Sequence, residues 1–188
     1  MRSTKPAPSL QIVLIEPEIP WNTGNVGRTC LALGAELVIV GRPGFSLEER
    51  AIRRSGMDYW PEVNLKRYKT WADFLSANPR RLLFLFSAGA RRDVWEADFS
   101  QGGSLIFGRE STGIPKDVLE TYRDRTYRIP MEAGTRSLNL STAVGMALYE
   151  GVRQNRTQGG INHGKVPTRL LEQNLSFPLL PESEGPRG

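Results

Sequence analysis

The chain has only one cysteine and one histidine among its 188 residues. A single cysteine excludes an intrachain disulfide, which is typical of a reducing compartment. Two such residues are too few for a zinc site, so we predict that the protein holds no metal. Cys30 lies in an apolar helical stretch, which predicts a small buried side chain, whereas a nucleophile would need a histidine partner. The histidine, His163, lies in a polar segment that predicts a solvated loop.

Long apolar runs and targeting signals are also missing. No run reaches the length of a membrane span, and residues 1–9 carry basic residues and prolines but are not followed by the apolar segment of a signal peptide. Hydrophobic residues make up 39% of the chain and charged residues 24%, as in globular domains. We therefore expect a cytoplasmic protein that has one main domain and no membrane partner.

Positive charge exceeds negative charge, and the formal net charge is +5. Basic pairs recur along the chain, at positions 53–54, 66–67, 80–81 and 91–92. Such a surface favours a polyanionic partner such as a nucleic acid. Because acidic residues are interspersed, an ordinary solvated surface is the alternative interpretation of the charge.

The order of apolar segments predicts the fold class. Short apolar runs predict five buried strands: residues 10–15, 36–40, 82–86, 104–107 and 126–129. Helical patterns cover residues 24–33, a basic stretch from the capping box at 46–49 to Arg54, 70–77, 115–122 and 141–155. This alternation predicts an α/β fold in which a mostly parallel sheet carries helices on both faces.

The same patterns predict how the chain is divided. We expect an N-terminal extension at residues 1–9, one domain at 10–156 and a C-terminal tail at 157–188. The tail is rich in glycine and proline, and one short helix at 168–173 is the only regular element that we predict in it.

Three polar, glycine-containing segments adjoin predicted strands or helices: residues 22–28, 107–113 and 129–141. The first opens a helix with amides and glycines, which suits close approach of a ligand. The second leaves its strand at the carboxyl end, where α/β sheets bind ligands. Each has a plain structural alternative: a capped helix, a tight strand-to-helix turn, and helix capping by Ser141. None is a Walker or GxGxxG loop, so the segments give little support to an ordinary nucleotide-binding enzyme.

Taken together, the three segments resemble the motifs of the SPOUT superfamily, in its SpoU branch of RNA 2′-O-methyltransferases. Residues 22–28 match the first motif, residues 107–114 the second and residues 129–143 the third. The resemblance is specific because three separate motifs agree in content and in order.

A narrower resemblance lies in "EPEIPWNTGNVGR" and "RRSGMDY". These stretches are similar to the tRNA (cytidine/uridine-34-2′-O)-methyltransferases, which act at the wobble position of the anticodon loop. Two positions depart mildly from the family pattern. Gly27 stands where an apolar residue is common, and Ile114 replaces the usual leucine. The tail matches nothing in the family.

The resemblance implies several properties of the whole molecule. It implies a C-terminal trefoil knot, although knots are very rare among folds in general. It implies a homodimer whose site is completed across the interface. The implied cofactor is S-adenosylmethionine, with S-adenosylhomocysteine as the product. The implied partner is a tRNA anticodon stem-loop, whose ribose 2′-hydroxyl distinguishes RNA from DNA.

The resemblance also implies a cofactor pocket. Its residues would be Leu85, Gly108, Ile129, Met131, Ser137 and Leu138. Apolar side chains would sandwich the adenine ring while loop backbone reads the edge of the ring. Gly108 would permit close approach because it lacks a Cβ.

The catalytic residues implied by the resemblance are Arg28, Asn22, Glu110, Ser137 and Asn139. Proposals for the family make Arg28 the base. A guanidinium rarely gives up its proton, so a cation that lowers the pKa of the 2′-hydroxyl or clamps a phosphate is the alternative. Glu110 would pair with Arg28 or orient it, and Ser137 would touch both cofactor and substrate. The two asparagines would fix the arrangement through amide hydrogen bonds.

Two further functions stay open at the level of the sequence. One is methylation of another tRNA position or of ribosomal RNA. The other is a non-catalytic RNA-binding protein on the same scaffold, which need not bind the cofactor.

Overall fold

The computed structural model describes residues 9–46 and 59–156. Several predicted features lie outside these residues: most of the capping box at 46–49, the helix to Arg54, His163, the short helix at 168–173, and the tail as a whole. The described parts contain one sheet and four α-helices. None of these helices is both long enough and apolar enough to cross a membrane.

Seven strands form the described sheet, and every neighbouring pair is parallel. They are β1 (Leu10–Ile15), β2 (Glu36–Val40), β3 (Leu65–Tyr68), β4 (Leu83–Phe86), β5 (Arg92–Asp93), β6 (Gly103–Phe107) and β7 (Thr126–Arg128). Their order across the sheet is β3-β2-β1-β6-β4-β7-β5. The five strands predicted from apolar runs are confirmed, with ends that differ by one residue at most. The prediction missed β3 and β5, because edge strands need no continuous apolar run.

The helices are α1 (Pro20–Leu33), α2 (Trp71–Ala77), α3 (Lys116–Thr121) and α4 (Leu140–Arg156). Helix α1 begins four residues earlier than predicted, because Pro20 occupies its first turn instead of ending regular structure. It ends at Gly34, whose φ of +66° is the left-handed conformation that favours glycine. Helix α2 begins with a capping box between Thr70 and Asp73.

Helices cover both faces of the sheet, as the sequence predicts. Alternate residues of β1 point to opposite sides, so that Ile12 belongs to one core and Val13 to the other. Helices α1 and α4 pack on the first face, and α2 and α3 contribute to the core on the second. Cys30 is fully buried in the first core, and burial raises the pKa of its thiol to about 12. It is a packing residue, as predicted, and not a thiolate nucleophile.

Candidate active site

A cavity of about 630 Å³ opens at the carboxyl edge of the sheet. The ends of β4, β6 and β7 all reach this edge, because the strands are parallel. The residues around the cavity come from the ends of these strands, the loops that follow them, and helices α1 and α4: Ile19, Asn22, 86–89, 107–113, Ile129, Met131, 137–140 and Ala143. All three polar segments singled out in the sequence therefore meet around one cavity.

Asn22 joins the three segments directly. Its side chain lies on the first turn of α1 and is buried. Its amide nitrogen donates to Glu110 Oε1 at 3.0 Å, and its amide oxygen accepts from Asn139 Nδ2 at 2.8 Å. One amide thus connects the loop after β6 to the loop before α4, across sequence separations of 88 and 117 residues.

The loop after β6 is further tied to the β1–α1 connection by carboxylates. Glu110 accepts from the backbone nitrogens of Glu18 at 2.8 Å and Ile19 at 3.3 Å. In return, Glu18 accepts from the Ser111 hydroxyl at 2.8 Å and the Ser111 backbone nitrogen at 2.9 Å. The hydrogen bonds from the Ser111 side chain and then its backbone lower the pKa of Glu18. These bonds fix the relative position of two walls of the site.

The same connection is reinforced by an ion pair between Arg109, which lines the cavity, and Glu16. Glu16 has a φ of +47°, and it is the only non-glycine residue with a positive φ in the described parts of the chain. Residues other than glycine seldom adopt this conformation, which costs free energy and is common near functional sites.

Gly108 is needed because of the backbone around it. A Cβ at this position would overlap the carbonyl carbon of Gly113 and the nitrogen of Ile114. The chain turns back here, with Arg109 N donating to Gly113 O at 3.1 Å and Gly113 N to Arg109 O at 2.9 Å. Gly108 lines the cavity, and its missing Cβ makes room for this turn.

Asn139 also organises the start of α4. Its side-chain oxygen accepts from the Ser141 backbone nitrogen at 2.9 Å and from the Ser141 hydroxyl at 2.7 Å. Asn139, and not Ser141, therefore caps the helix, which corrects the capping alternative drawn from the sequence. The same side chain both begins a helix and positions Asn22.

The Leu85 side chain does not line the cavity. It is fully buried in the core on the second face of the sheet, next to the cavity-lining Phe86 in the chain. Its place in the cofactor pocket stays a prediction. The alternation of a strand sends the next residue, Phe86, toward the cavity. The Phe86 ring stacks on Phe107 with 4.8 Å between centroids and 6° between planes. Phe86 and residues 87–89 were not among the predicted pocket residues. Their position at and after the carboxyl end of an apolar strand was a usable signal.

Arg28 does not line the cavity of its own chain. It lies on the exposed side of α1, and its guanidinium carbon sits 4.4 Å from the centroid of the Tyr59 ring. The suggested pairing with Glu110 is not formed, because Glu110 is engaged by Asn22 and by two backbone nitrogens. The four other predicted catalytic residues, Asn22, Glu110, Ser137 and Asn139, all line the cavity.

The family model described as "SpoU rRNA Methylase family" matches residues 9–149. This span includes every described strand and three complete helices. The chain belongs to the SpoU methylase family. This match confirms the resemblance to the SpoU branch that the three polar segments indicated.

Known relatives of this SpoU methylase cover most of its length. A protein from Burkholderia ambifaria named "tRNA (cytidine(34)-2'-O)-methyltransferase" is 37% identical over 153 residues, which are 79% of this chain and 97% of that protein. A protein of the same name from a Polaromonas species is 38% identical over 151 residues, 79% of this chain and 92% of its own.

Solved structures agree with the sequence relatives of this SpoU methylase. A structure described as "Structural insights into the 2-OH methylation of C/U34 on tRNA" has a TM-score of 0.74 and 45% identity, and the match covers 80% of this chain and 93% of that one. The SpoU methyltransferase AviRb from Streptomyces viridochromogenes, in complex with AdoMet, has a TM-score of 0.67 and 28% identity. That match covers 84% of this chain and 64% of that one.

Proposed function

We propose that this protein transfers a methyl group from S-adenosylmethionine to the ribose 2′-oxygen of the wobble nucleotide, position 34, in the tRNA anticodon loop. The observation that carries the proposal is the convergence of three distant loops on Asn22, which creates the cavity and gives it polar walls. The names of the Burkholderia and Polaromonas relatives support position 34 of tRNA as the target. The cytoplasmic location expected from the sequence agrees with a tRNA substrate.

The cavity fits the proposed cofactor in size and in chemistry. Its volume of about 630 Å³ lies within the usual range of small-molecule sites. Ile129, Met131 and Leu138 supply an apolar lining for an aromatic base, while Gly108 and the backbone around it supply hydrogen-bonding groups. Ser137 lies at the same cavity and would contact both the cofactor and the ribose. When bound, S-adenosylmethionine supplies an electrophilic methyl group and leaves as S-adenosylhomocysteine.

The chain's own residues would align and activate the ribose hydroxyl. The 2′-oxygen would accept the methyl group, the sulfur of the cofactor would keep the electron pair of its bond to that carbon, and the hydroxyl proton would leave to solvent or a base. A guanidinium rarely acts as a base, so we assign Arg28 an electrostatic role, in which it favours the developing alkoxide or clamps the adjacent phosphate. Asn22 and Asn139 hold the walls of the site in register through their 2.8 Å hydrogen bond.

Transfer of labelled methyl groups to total tRNA, followed by nucleoside mapping, tests this function. We expect the label in a 2′-O-methylated nucleoside at position 34. Label at another tRNA position, or in ribosomal RNA tested in parallel, would show that the enzyme methylates a different RNA site from the proposed one. Tight RNA binding with no transfer and no cofactor binding would favour the non-catalytic alternative and contradict the proposal.

We also propose a homodimer, because Arg28 lies outside the cavity of its own chain and a second copy can bring its arginine there. Helices α1 and α4 pack together and expose large apolar side chains. Trp21 is 65% exposed, Tyr149 64% and Met146 49%. An apolar group of this size on two adjacent helices is typical of an interface. The trefoil knot implied by the family resemblance stays a prediction.

Light scattering tests the dimer. We expect a mass of twice the 21.0 kDa chain, and Tyr149→Glu should shift it toward the single chain because a buried carboxylate disfavours the apolar interface. The matched control is Trp95→Glu. Trp95 is 70% exposed but follows β5, the strand at the outer edge of the sheet, and is on neither α1 nor α4, so its replacement should leave the mass unchanged. A wild-type mass of one chain would reject the dimer.

The salt concentration should affect the affinity for tRNA much more than the affinity for S-adenosylmethionine. Raising the salt concentration from about 50 to about 200 mM should weaken tRNA binding at least about tenfold, because phosphate contacts by arginine release counterions. Binding of S-adenosylmethionine, which has no polyanionic backbone, should change by less than about twofold. Filter binding and calorimetry give the two affinities. A tRNA affinity that does not change with the salt concentration would contradict the proposed contacts between arginines and phosphates.

The two interactions of Asn139 can be separated by mutation. Asn139→Asp keeps an acceptor for the Ser141 nitrogen but has no amide hydrogens for the buried Asn22 oxygen, so the free energy of unfolding should fall by about 1 kcal/mol. Methyl transfer should fall at least about tenfold, because the walls of the site lose their hydrogen bond. Asn139→Ala also removes the helix cap and should cost about 1 kcal/mol more than Asn139→Asp. Equal activity of Asn139→Asp and the wild type would show that the contact with Asn22 is dispensable.

A further inference from the structure

The Arg28 side chain is held by an aromatic ring and not by a carboxylate. Its guanidinium carbon lies 4.4 Å from the centroid of the Tyr59 ring. Among the residues that the structure describes, no acidic side chain forms an ion pair with Arg28. A contact between a cation and a ring does not neutralise the charge of the cation, whereas a contact with a carboxylate would. Among the described residues, Arg28 therefore keeps its net charge for another partner.

Tyr59 is itself fixed to the helix that carries Arg28. Its hydroxyl donates to the Gly24 carbonyl oxygen at 2.9 Å, one turn before Arg28. The next residue, Trp60, packs against the same helix at Gly27, where a Cβ would lie 2.7 Å from Trp60 Cζ3. Gly27 departs from the apolar residue common in the family, and the Trp60 ring occupies the space that such a side chain would need. Segment 59–60 is thus docked on α1 at two adjacent points.

We propose that Tyr59 is a positioning residue for Arg28, and this inference rests on the proposed methyl transfer. The ring restricts the rotamers of an exposed arginine and presents the edge of the guanidinium to the RNA. An unsupported arginine at this position would lose side-chain entropy on each binding event. A carboxylate would also hold the arginine, but it would neutralise the charge that the substrate needs.

The test compares Tyr59→Leu and Tyr59→Phe in two backgrounds, wild type and Arg28→Ala. Single-turnover methyl transfer to an anticodon stem-loop RNA is measured, together with the Kd values for that RNA and for S-adenosylmethionine. In the wild-type background, Tyr59→Leu should lower the transfer rate about tenfold, and Tyr59→Phe, which keeps the ring, should stay within about threefold of wild type. The cofactor Kd should stay within about twofold in both variants, since Tyr59 does not line the cavity.

The Arg28→Ala background distinguishes positioning from a general structural role. If Tyr59 acts through Arg28, then Tyr59→Leu should cause no further loss in that background, in either the transfer rate or the RNA Kd. The Kd comparison remains measurable even if Arg28→Ala has no detectable rate. Gly27→Ala provides a second variant, because the added Cβ displaces Trp60 and with it segment 59–60. It should lower the transfer rate in the wild-type background and cause no further loss in the Arg28→Ala background.

Three results would overturn the inference. The first is an equal loss of transfer rate or RNA affinity from Tyr59→Leu in both backgrounds. The second is a Tyr59→Phe variant whose transfer rate is as low as that of Tyr59→Leu. The third is a Tyr59→Leu variant with the wild-type transfer rate. In each case an active wild type leaves the proposed function intact. A wild-type protein that transfers no methyl group to RNA would instead reject the proposed function and this inference with it.

Discussion

Arg28→Ala should lower the rate of methyl transfer at least about a hundredfold while the affinity for S-adenosylmethionine changes by less than about twofold. The two effects separate because Arg28 does not line the cofactor cavity of its own chain, and in the proposed dimer it would act on the ribose and its phosphate and not on the cofactor. Loss of a cation near the reacting hydroxyl removes stabilisation that is needed in the transition state. Single-turnover kinetics and calorimetry measure the two quantities.

The matched control for Arg28→Ala is Arg67→Ala. Arg67 is likewise exposed, but it lies on β3 at the outer edge of the sheet, and three strands separate it from β4. Its replacement should change the rate by less than about threefold, since a remote surface charge contributes little. If Arg28→Ala and Arg67→Ala reduced the rate equally, net charge and not position would explain the loss. Near-normal turnover of Arg28→Ala would refute its assignment to the reaction.

Gly108→Ala should lower the free energy of unfolding by at least about 2 kcal/mol and abolish cofactor binding, because the added methyl overlaps backbone that has no room to move. The overlapping atoms belong to Gly113 and Ile114, which form the turn at the wall of the cavity. A side-chain obstacle can rotate away, but this backbone is held by two hydrogen bonds between Arg109 and Gly113. Urea unfolding and calorimetry give the two measurements.

Gly89→Ala is the control for stability. Gly89 borders the same cavity, but among the described residues a Cβ there would meet no atom within 4 Å other than those of its two chain neighbours. Its unfolding free energy should change by less than about 0.5 kcal/mol. A Gly108→Ala protein that unfolds at the same urea concentration as Gly89→Ala would show that the turn after β6 is adaptable, contrary to its hydrogen bonding.

Local sequence patterns predicted the buried elements of the fold well, because burial determines which positions are apolar. The runs that became β1, β2 and β6 are apolar because both faces of a central parallel strand are covered. Strand β3, with the sequence LKRY, could not be recognised, because an edge strand has a partner on one side only. The start of α1 was misplaced because a proline can begin a helix as well as end one.

The site was predicted in outline, but the contacts that hold it together were not. Asn22, Glu110 and Asn139 were recognisable by resemblance, and the structure joins them by hydrogen bonds. The contact of Arg28 with Tyr59 has no signal in the local sequence, since the two residues come together only through the packing of segment 59–60 on α1. A motif does not show which face of a strand a side chain occupies, so the burial of the Leu85 side chain beneath the cavity wall could not be predicted.

The most direct test of the central claim compares two synthetic anticodon stem-loops that differ only in the ribose at position 34. One carries the 2′-hydroxyl there and the other carries 2′-deoxyribose, while every other nucleotide is ribose. With S-adenosylmethionine, we expect one methyl group per molecule on the first RNA and none on the second. Equal methylation of both RNAs would place the reaction at another atom and contradict the account.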